Sequence, residues 1–152
     1  MIIQAETTGH INIAKELFIE YAKSLNFELC FQDFDKEVAE LPGAYSPPEG
    51  RLFLAEFGGE IAGCIALRKL EKEICEMKRL YVKTQFRGHN IGKNLVEKLI
   101  EDARKIGYKK MRLDTVPAMQ TARKLYKSIG FKEIEPYRLN PVQGAVYMEL
   151  KL

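Results

Sequence analysis

The chain has little of what several classes of protein are built on. Its three cysteines, Cys30, Cys64 and Cys75, are odd in number and contain no C-x-x-C pair, so neither a disulfide framework nor a zinc knuckle is suggested. They read as small buried hydrophobes. The two histidines, His10 and His89, lie far apart with no acidic cluster at ligand spacing, and no metal is expected. None of the three serines, Ser24, Ser46 and Ser128, falls in G-x-S-x-G, and Cys75 has no basic partner that the sequence reveals. Serine and cysteine hydrolases are therefore set aside. No apolar run approaches the roughly twenty residues of a membrane span. Met1 to Glu6 also lacks the basic flank and apolar stretch of a signal peptide, so a cytoplasmic protein is expected. Charge of one sign is scarce as well, since 24 basic and 21 acidic residues leave a formal charge of +3. The basic run Lys105, Lys109, Lys110 and Arg112 comes without an aromatic stacking pattern, so neither nucleic acid nor membrane is expected as a partner. There are no repeats and no low-complexity tract, and 152 residues at 46% hydrophobic content fit a single domain, 1–152.

What is present alternates between strand and helix signals. Met1 to Ala5 is a short apolar strand, and Ile11, Ala14, Leu17, Phe18, Tyr21, Ala22 and Leu25 recur at helical spacing. Asp33 or Asp35 can cap a second short helix reaching about Leu41, which the Pro42 to Gly50 stretch stops. Leu52 to Phe57 and Ile61 to Leu67 flank Gly58-Gly59 as a hairpin, and Ile74 to Val82 adds β4 of an antiparallel meander. A long helix is expected from Ile91, along the face Leu95, Val96, Leu99, Ile100 and Ala103, to a cap at Gly107. Met111 to Thr115 follows as β5. Pro117 can open a further helix that runs to about Ser128, and Ala145 to Leu150 closes the chain as a strand. The order describes a mixed α/β sheet with helices on both faces.

The most informative segment is Glu76 to Lys93, where a strand enters a glycine-bearing turn and then a long helix. Free N–H groups and the positive helix end converge there, which makes an anion site, and Arg87 and Lys93 add charge beside it. The competing view is an ordinary turn and solvated helix start. A Walker A loop is disfavoured because Gly88 to Gly92 is one residue short and Asn94 stands where a hydroxyl is needed. A dinucleotide fingerprint is disfavoured because Asn90 interrupts the glycines and the strands before it form a meander.

The same segment resembles the cofactor loop of the GNAT superfamily of N-acyltransferases, which has the form Q/R-x-x-G-x-G/A. Gln85, Phe86, Arg87, Gly88 and His89 follow it, Asn90 departs at the last place, and Gly92 supplies a later glycine. A second family segment is similar to Ala122, Leu125-Tyr126 and Gly130-Phe131, whereas Met119 stands where many relatives carry asparagine. The resemblance covers nearly the whole chain. It implies a mixed, mostly antiparallel sheet splayed between β4 and β5, acetyl-CoA as co-substrate, and a pantetheine arm held in the gap by main-chain groups of Leu80 and Val82. The loop from Gln85 through Phe86, Arg87, Gly88, His89, Asn90, Ile91 and Gly92 to Lys93 is then the expected phosphate cradle. The expected acceptor is a small-molecule, peptide or protein amine, and a homodimer is compatible with the family.

Acetylating an amine requires removal of a proton, because an alkylammonium is mostly protonated at neutral pH. Glu76, on β4 and on the acceptor side of the thioester, is one candidate base; the other reading of it is an ion pair with Lys78 or Arg79. The Leu80 N–H can stabilise an oxyanion if β4 is unpaired there. Tyr126 can protonate the leaving thiolate, or can simply fill the core. The acids Glu28, Asp33, Asp35, Glu37, Glu40 and Glu49, with Lys36 the only base among them, suggest either a wall for a cationic acceptor or a solvated acidic face. The alternative to an enzyme is a CoA-binding interaction module with the same fold and no turnover.

Overall fold

The computed structural model describes residues 1–25, 33–117, 119–140 and 142–152. Cys30 and Glu28 lie outside these residues. The elements are β1 (Ile2–Gln4), α1 (Thr8–Ser24), α2 (Phe34–Ala39), β2 (Arg51–Phe57), β3 (Glu60–Glu71), β4 (Ile74–Val82), α3 (Ile91–Ile106), β5 (Lys110–Thr115), α4 (Gln120–Ile129), β6 (Lys132–Ile134) and β7 (Val146–Lys151). Helix starts and stops follow local chemistry. Thr7 caps α1 by accepting from the His10 N–H at 3.1 Å, and α3 stops at Gly107, whose φ of +110° side chains other than hydrogen resist.

One seven-stranded sheet runs in the order β1-β2-β3-β4-β5-β7-β6, antiparallel except where β4 meets β5. That parallel pairing lasts only from Ile74 opposite Lys110 to Glu76 opposite Arg112. Beyond it the two strands continue to Val82 and Thr115 with no registered partner between them, so the sheet opens as a V.

A core forms on each face. Leu95, Val96 and Leu99 of α3 are fully buried against Ile65, Leu67 and Met111, while Leu17 and Phe18 of α1 pack on Leu52, Leu54 and Cys64. Each large side chain so buried contributes about 1.5–3 kcal/mol of transfer free energy, which anchors both walls of the V.

Three sequence expectations differ from the structure. The helix expected from Pro117 starts at Gln120, because the Met119 N–H first bonds back to the Val116 carbonyl at 3.0 Å. β6 was not expected: its three residues, Lys132, Glu133 and Ile134, are too few and too polar to show alternation, and they form a strand only because β7 offers an edge. Asp33 does occupy the position before α2 but with φ of +52° and no side-chain cap bond.

Candidate active site

β4 changes register within its own length. Cys64 and Ala66 of β3 face Tyr81 and Lys78, so two steps on one strand match three on the other, and Arg79 carries the extra residue at φ +60°. A non-glycine residue in that conformation costs about 1–2 kcal/mol. Arg79 is nevertheless tied down: its guanidinium donates to both oxygens of Glu37 at 2.8 and 3.0 Å and lies over the rings of Tyr21 and Phe34. A buried bidentate pair with two cation–π contacts outweighs the backbone strain. The bulge leaves Leu80 without a partner in register, and Leu80 lines both spaces described below. β3 also approaches closely here, since a Cβ at Gly63 would lie 2.4 Å from the Tyr81 carbonyl oxygen.

The first space is a cleft of about 530 Å³ along the opening of the V, running to the N-terminus of α3. Leu80, Val82, Phe86, Arg87, Gly88 and the residues Asn90 to Lys93 all line it. The first intrahelical bond of α3 is from the Asn94 N–H to the Asn90 carbonyl at 3.0 Å, so the N–H groups of Ile91, Gly92 and Lys93 are left for a ligand or water. Asn90, the departure from the loop pattern, adopts φ +61°, a conformation that asparagine tolerates better than most residues. It thus does geometrically what a glycine would. Gly88 has φ +91° with open space where a Cβ would stand, room for close approach of a phosphate. Two expected contacts are not on the cleft. Gln85 is exposed in the turn over Thr84–Phe86, and His89 stacks its ring on Phe57 at 4.6 Å. Arg87 donates from Nε to the Val82 carbonyl at 3.0 Å, joining the loop to the strand end.

The second space is a chamber of about 30 Å³ deeper in the V, the size of a water or an amine head. It shares Tyr21, Leu25, Leu80 and Met119 with the cleft, and its polar lining includes Lys78, Asp114, Thr115, Tyr126 and Asn140. Asn140 donates to Asp114 at 3.1 Å. The Thr115 hydroxyl is buried with no hydrogen-bond partner among the described residues. Burial keeps the Tyr126 phenol well above its ordinary pKa, so it remains a donor across the working range.

Glu76 lines neither space. It is fully buried, accepting from Arg68 Nε at 2.8 Å, from the Tyr137 hydroxyl at 2.7 Å and from Arg138, with Lys78 Nζ at 3.9 Å. Burial pushes its carboxyl up, but Lys78, Arg138 and Arg68 together with the Tyr137 hydroxyl outweigh that and hold it below the ordinary carboxylate value. Of the two ion-pair partners foreseen, Lys78 is near Glu76 whereas Arg79 belongs to Glu37. Cys64 and Cys75 are buried, and burial pushes the Cys75 thiol up to about 12. Neither is poised as a nucleophile.

The acidic stretch does not wall this site. Asp33, Asp35, Glu40 and Glu49 are exposed and Glu37 is spent on Arg79, so none of its described acids lines cleft or chamber. Three of the four residues of the basic run are likewise paired: Arg112 and Lys110 reach Glu149, and Lys105 reaches Glu101. Sequence reasoning missed Asp114, Thr115, Tyr137, Arg138 and Asn140. For Asp114 a signal existed, because alternation along β5 puts it on the face opposite Leu113 at the strand's end. For the 137–140 segment none did. Among the described residues no three potential metal ligands come together, and no helix is long and apolar enough to cross a membrane.

Comparison with known proteins agrees with this geometry. The Acetyltransferase (GNAT) family profile matches residues 12–131. An uncharacterized N-acetyltransferase of Schizosaccharomyces pombe is 41% identical over 91% of this chain and 86% of its own length. Human N-acetylaspartate synthetase is 33% identical over 64% of this chain, which corresponds to 33% of that longer protein. A GNAT-family acetyltransferase of Staphylococcus aureus superposes with a TM-score of 0.82 at 21% identity, covering 99% of this chain and 98% of its own.

Proposed function

The chain belongs to the GNAT family of acetyltransferases and moves an acetyl group from acetyl-CoA to an amine, and from that premise we propose that its acceptor is a small amino acid. The relatives are N-acetyltransferases by name, which lends no support to a non-catalytic module. The single observation that carries the acceptor reading is the chamber beside Leu80, which pairs an acid with a base, Asp114 with Lys78. An amino acid reaching into the chamber from the adjoining cleft presents the complementary pair, its ammonium toward Asp114 and its carboxylate toward Lys78. Kinship with N-acetylaspartate synthetase, which by its name makes an acetylated amino acid, supports the same class.

The residues then divide the work. Acetyl-CoA supplies the activated thioester. The N–H groups at the start of α3, with Arg87 and Lys93, hold its phosphates, and main-chain groups of Leu80 and Val82 hold its arm. The Leu80 N–H, at a position with no partner in register across the bulge, receives the oxygen on which negative charge develops. Tyr126 donates its hydroxyl proton toward the departing sulfur. Glu76 acts as a positioning residue, tying the segment that carries Tyr137 and Arg138 to β4, because a carboxylate surrounded by three cations is a poor proton acceptor. The amine's proton leaves through water at the chamber.

The test is thiol release from acetyl-CoA over a panel of amino acids, the matching amino-acid amides, and polyamines, with the products identified by mass. Amino acids should exceed their amides at least tenfold in kcat/KM. Polyamines outperforming every amino acid would overturn the acceptor reading and leave acetyl transfer intact.

A further inference from the structure

The direction of the Leu80 N–H is set by the residue before it. The carbonyl of the peptide joining Arg79 to Leu80 accepts from the Cys64 thiol of β3, with Sγ 3.4 Å from the oxygen. That peptide is trans and planar, so its N–H points the opposite way, away from β3 and toward the side of β4 on which β5 has diverged. Leu80 accordingly borders both cleft and chamber. The orientation belongs to the left-handed conformation of Arg79, φ +60°. Rotation of φ to the ordinary strand value, about −120°, would carry the carbonyl off Cys64 and swing the Leu80 N–H with it. Backbone preference does not keep an arginine left-handed in mid-strand. Its side chain does: only 4% of the residue is exposed, and the guanidinium donates from Nε and Nη2 to the two oxygens of Glu37 on α2. It also lies 5.9 and 5.4 Å from the ring centres of Tyr21 and Phe34. A guanidinium held by a forked pair of bonds and two rings has little freedom, and the backbone that carries it is fixed with it.

We propose that Arg79 is a positioning residue for acetyl transfer: anchored by Glu37, it holds β4 in the left-handed bulge that aims the Leu80 N–H at the thioester oxygen, and it acts through its backbone conformation rather than its charge. The proposal rests on the role given to Leu80 above. As the amine attacks, negative charge collects on the thioester oxygen, and a donor already aimed at that oxygen needs no reorientation at the moment of reaction. Glu37 thereby influences turnover from α2 although it lines neither cleft nor chamber. The cofactor loop, several residues further along the chain, does not depend on the bulge for its own shape.

Two substitutions separate backbone from side chain. Arg79→Ala and Arg79→Gly remove the same guanidinium and leave the same carboxylate behind, but only glycine adopts a positive φ without cost. Assayed well below each variant's melting temperature, Arg79→Ala should lose roughly a hundredfold in kcat, the loss typical of one oxyanion donor, and Arg79→Gly should exceed it by about tenfold or more. Glu37→Gln should lower kcat about tenfold in the arginine background and less than about twofold in the Arg79→Gly background, where there is no anchor left to lose. CoA affinity, measured by calorimetry, should stay within about threefold in every variant, which shows that each folds and assigns the loss to kcat. Equal losses in Arg79→Ala and Arg79→Gly would assign the effect to the guanidinium, and near wild-type kcat in Arg79→Ala or Glu37→Gln would reduce the pair to a stabilising contact; either result overturns the proposal. The role of Leu80 is read separately, from its amide proton resonance by heteronuclear NMR with CoA and then with acetyl-CoA. A downfield shift produced by acetyl-CoA and not by CoA, present in the wild type and lost in Arg79→Ala, supports the aimed donor. If the shift persists in Arg79→Ala, only the role of Arg79 falls. If acetyl-CoA produces no shift in the wild type, the role of Leu80 falls and takes this inference with it.

Discussion

At the scale of single residues, the structure separates two side chains that the sequence left ambiguous in the same way. Tyr126 is as buried as a core aromatic and packs on Phe131, yet it lines the chamber next to Leu80. Core filling and proton donation are thus compatible there. Tyr126→Phe keeps the ring and removes the hydroxyl, so kcat should fall roughly a hundredfold while acetyl-CoA affinity stays within about twofold. Near wild-type turnover in steady-state assays would assign thiolate protonation to water. Glu76 goes the other way. With Arg68, Tyr137 and Arg138 on its oxygens, Glu76→Gln should cost on the order of 3 kcal/mol of stability by leaving buried cations uncompensated, and should not abolish the pH dependence of turnover. Because its folded-state pKa is depressed, its stabilising contribution is present above the ordinary carboxylate pKa and is lost as pH falls below it. Chemical denaturation between pH 3 and 7 should show that acid-side loss in the wild type and a flatter profile in Glu76→Gln.

At the scale of elements, the site depends on two backbone irregularities, the bulge of β4 and the loop before α3. The loop was legible because glycine and basic residues between a strand and a helix have few other uses, and because Asn90 can adopt the left-handed conformation that the pattern requires. Gly88→Val should weaken acetyl-CoA binding more than Arg87→Ala, for which about tenfold or more is expected. At φ +91° a branched side chain strains the backbone as well as obstructing the phosphates, whereas Arg87 removes one charge. Calorimetry showing unchanged affinity in both would move the cofactor elsewhere. The bulge was not legible. Arg79 is a poor candidate for a left-handed residue on propensity, and only its partners Glu37, Tyr21 and Phe34, distant in sequence, make that conformation tenable. Gly63→Ala should disturb it from the opposite strand: the added Cβ meets the Tyr81 carbonyl at 2.4 Å, so the melting temperature should drop by several degrees and kcat should fall as Leu80 shifts.

At the scale of the molecule, the core under α3 packs on both walls of the V, through Met77 on one and Met111 and Leu113 on the other, while the two strands pair, among the described residues, at its base alone, Ile74 to Glu76 against Lys110 to Arg112. A ligand spanning the open part should stabilise the whole fold. Acetyl-CoA at a hundred times its dissociation constant adds about 2.7 kcal/mol, which for a domain of this size raises the melting temperature by about 5–10 °C in a thermal-shift assay. The amino-acid sequence by itself determined the class of fold, most of its elements and the cofactor loop, because hydrophobic periodicity, caps and glycine turns act over a few residues and survive in one dimension. It also determined, through that loop and the Ala122 to Phe131 segment, the family and the acetyl donor. Only the tertiary structure decided what lines the chamber. Lys78, Asp114, Tyr126 and Asn140 come from four separate segments, and the carboxylate of Glu76 is held by Arg68, Tyr137 and Arg138, the last two over sixty residues away. Charge compensation and burial act through space, and no local pattern in the chain records which partner a buried charge will find.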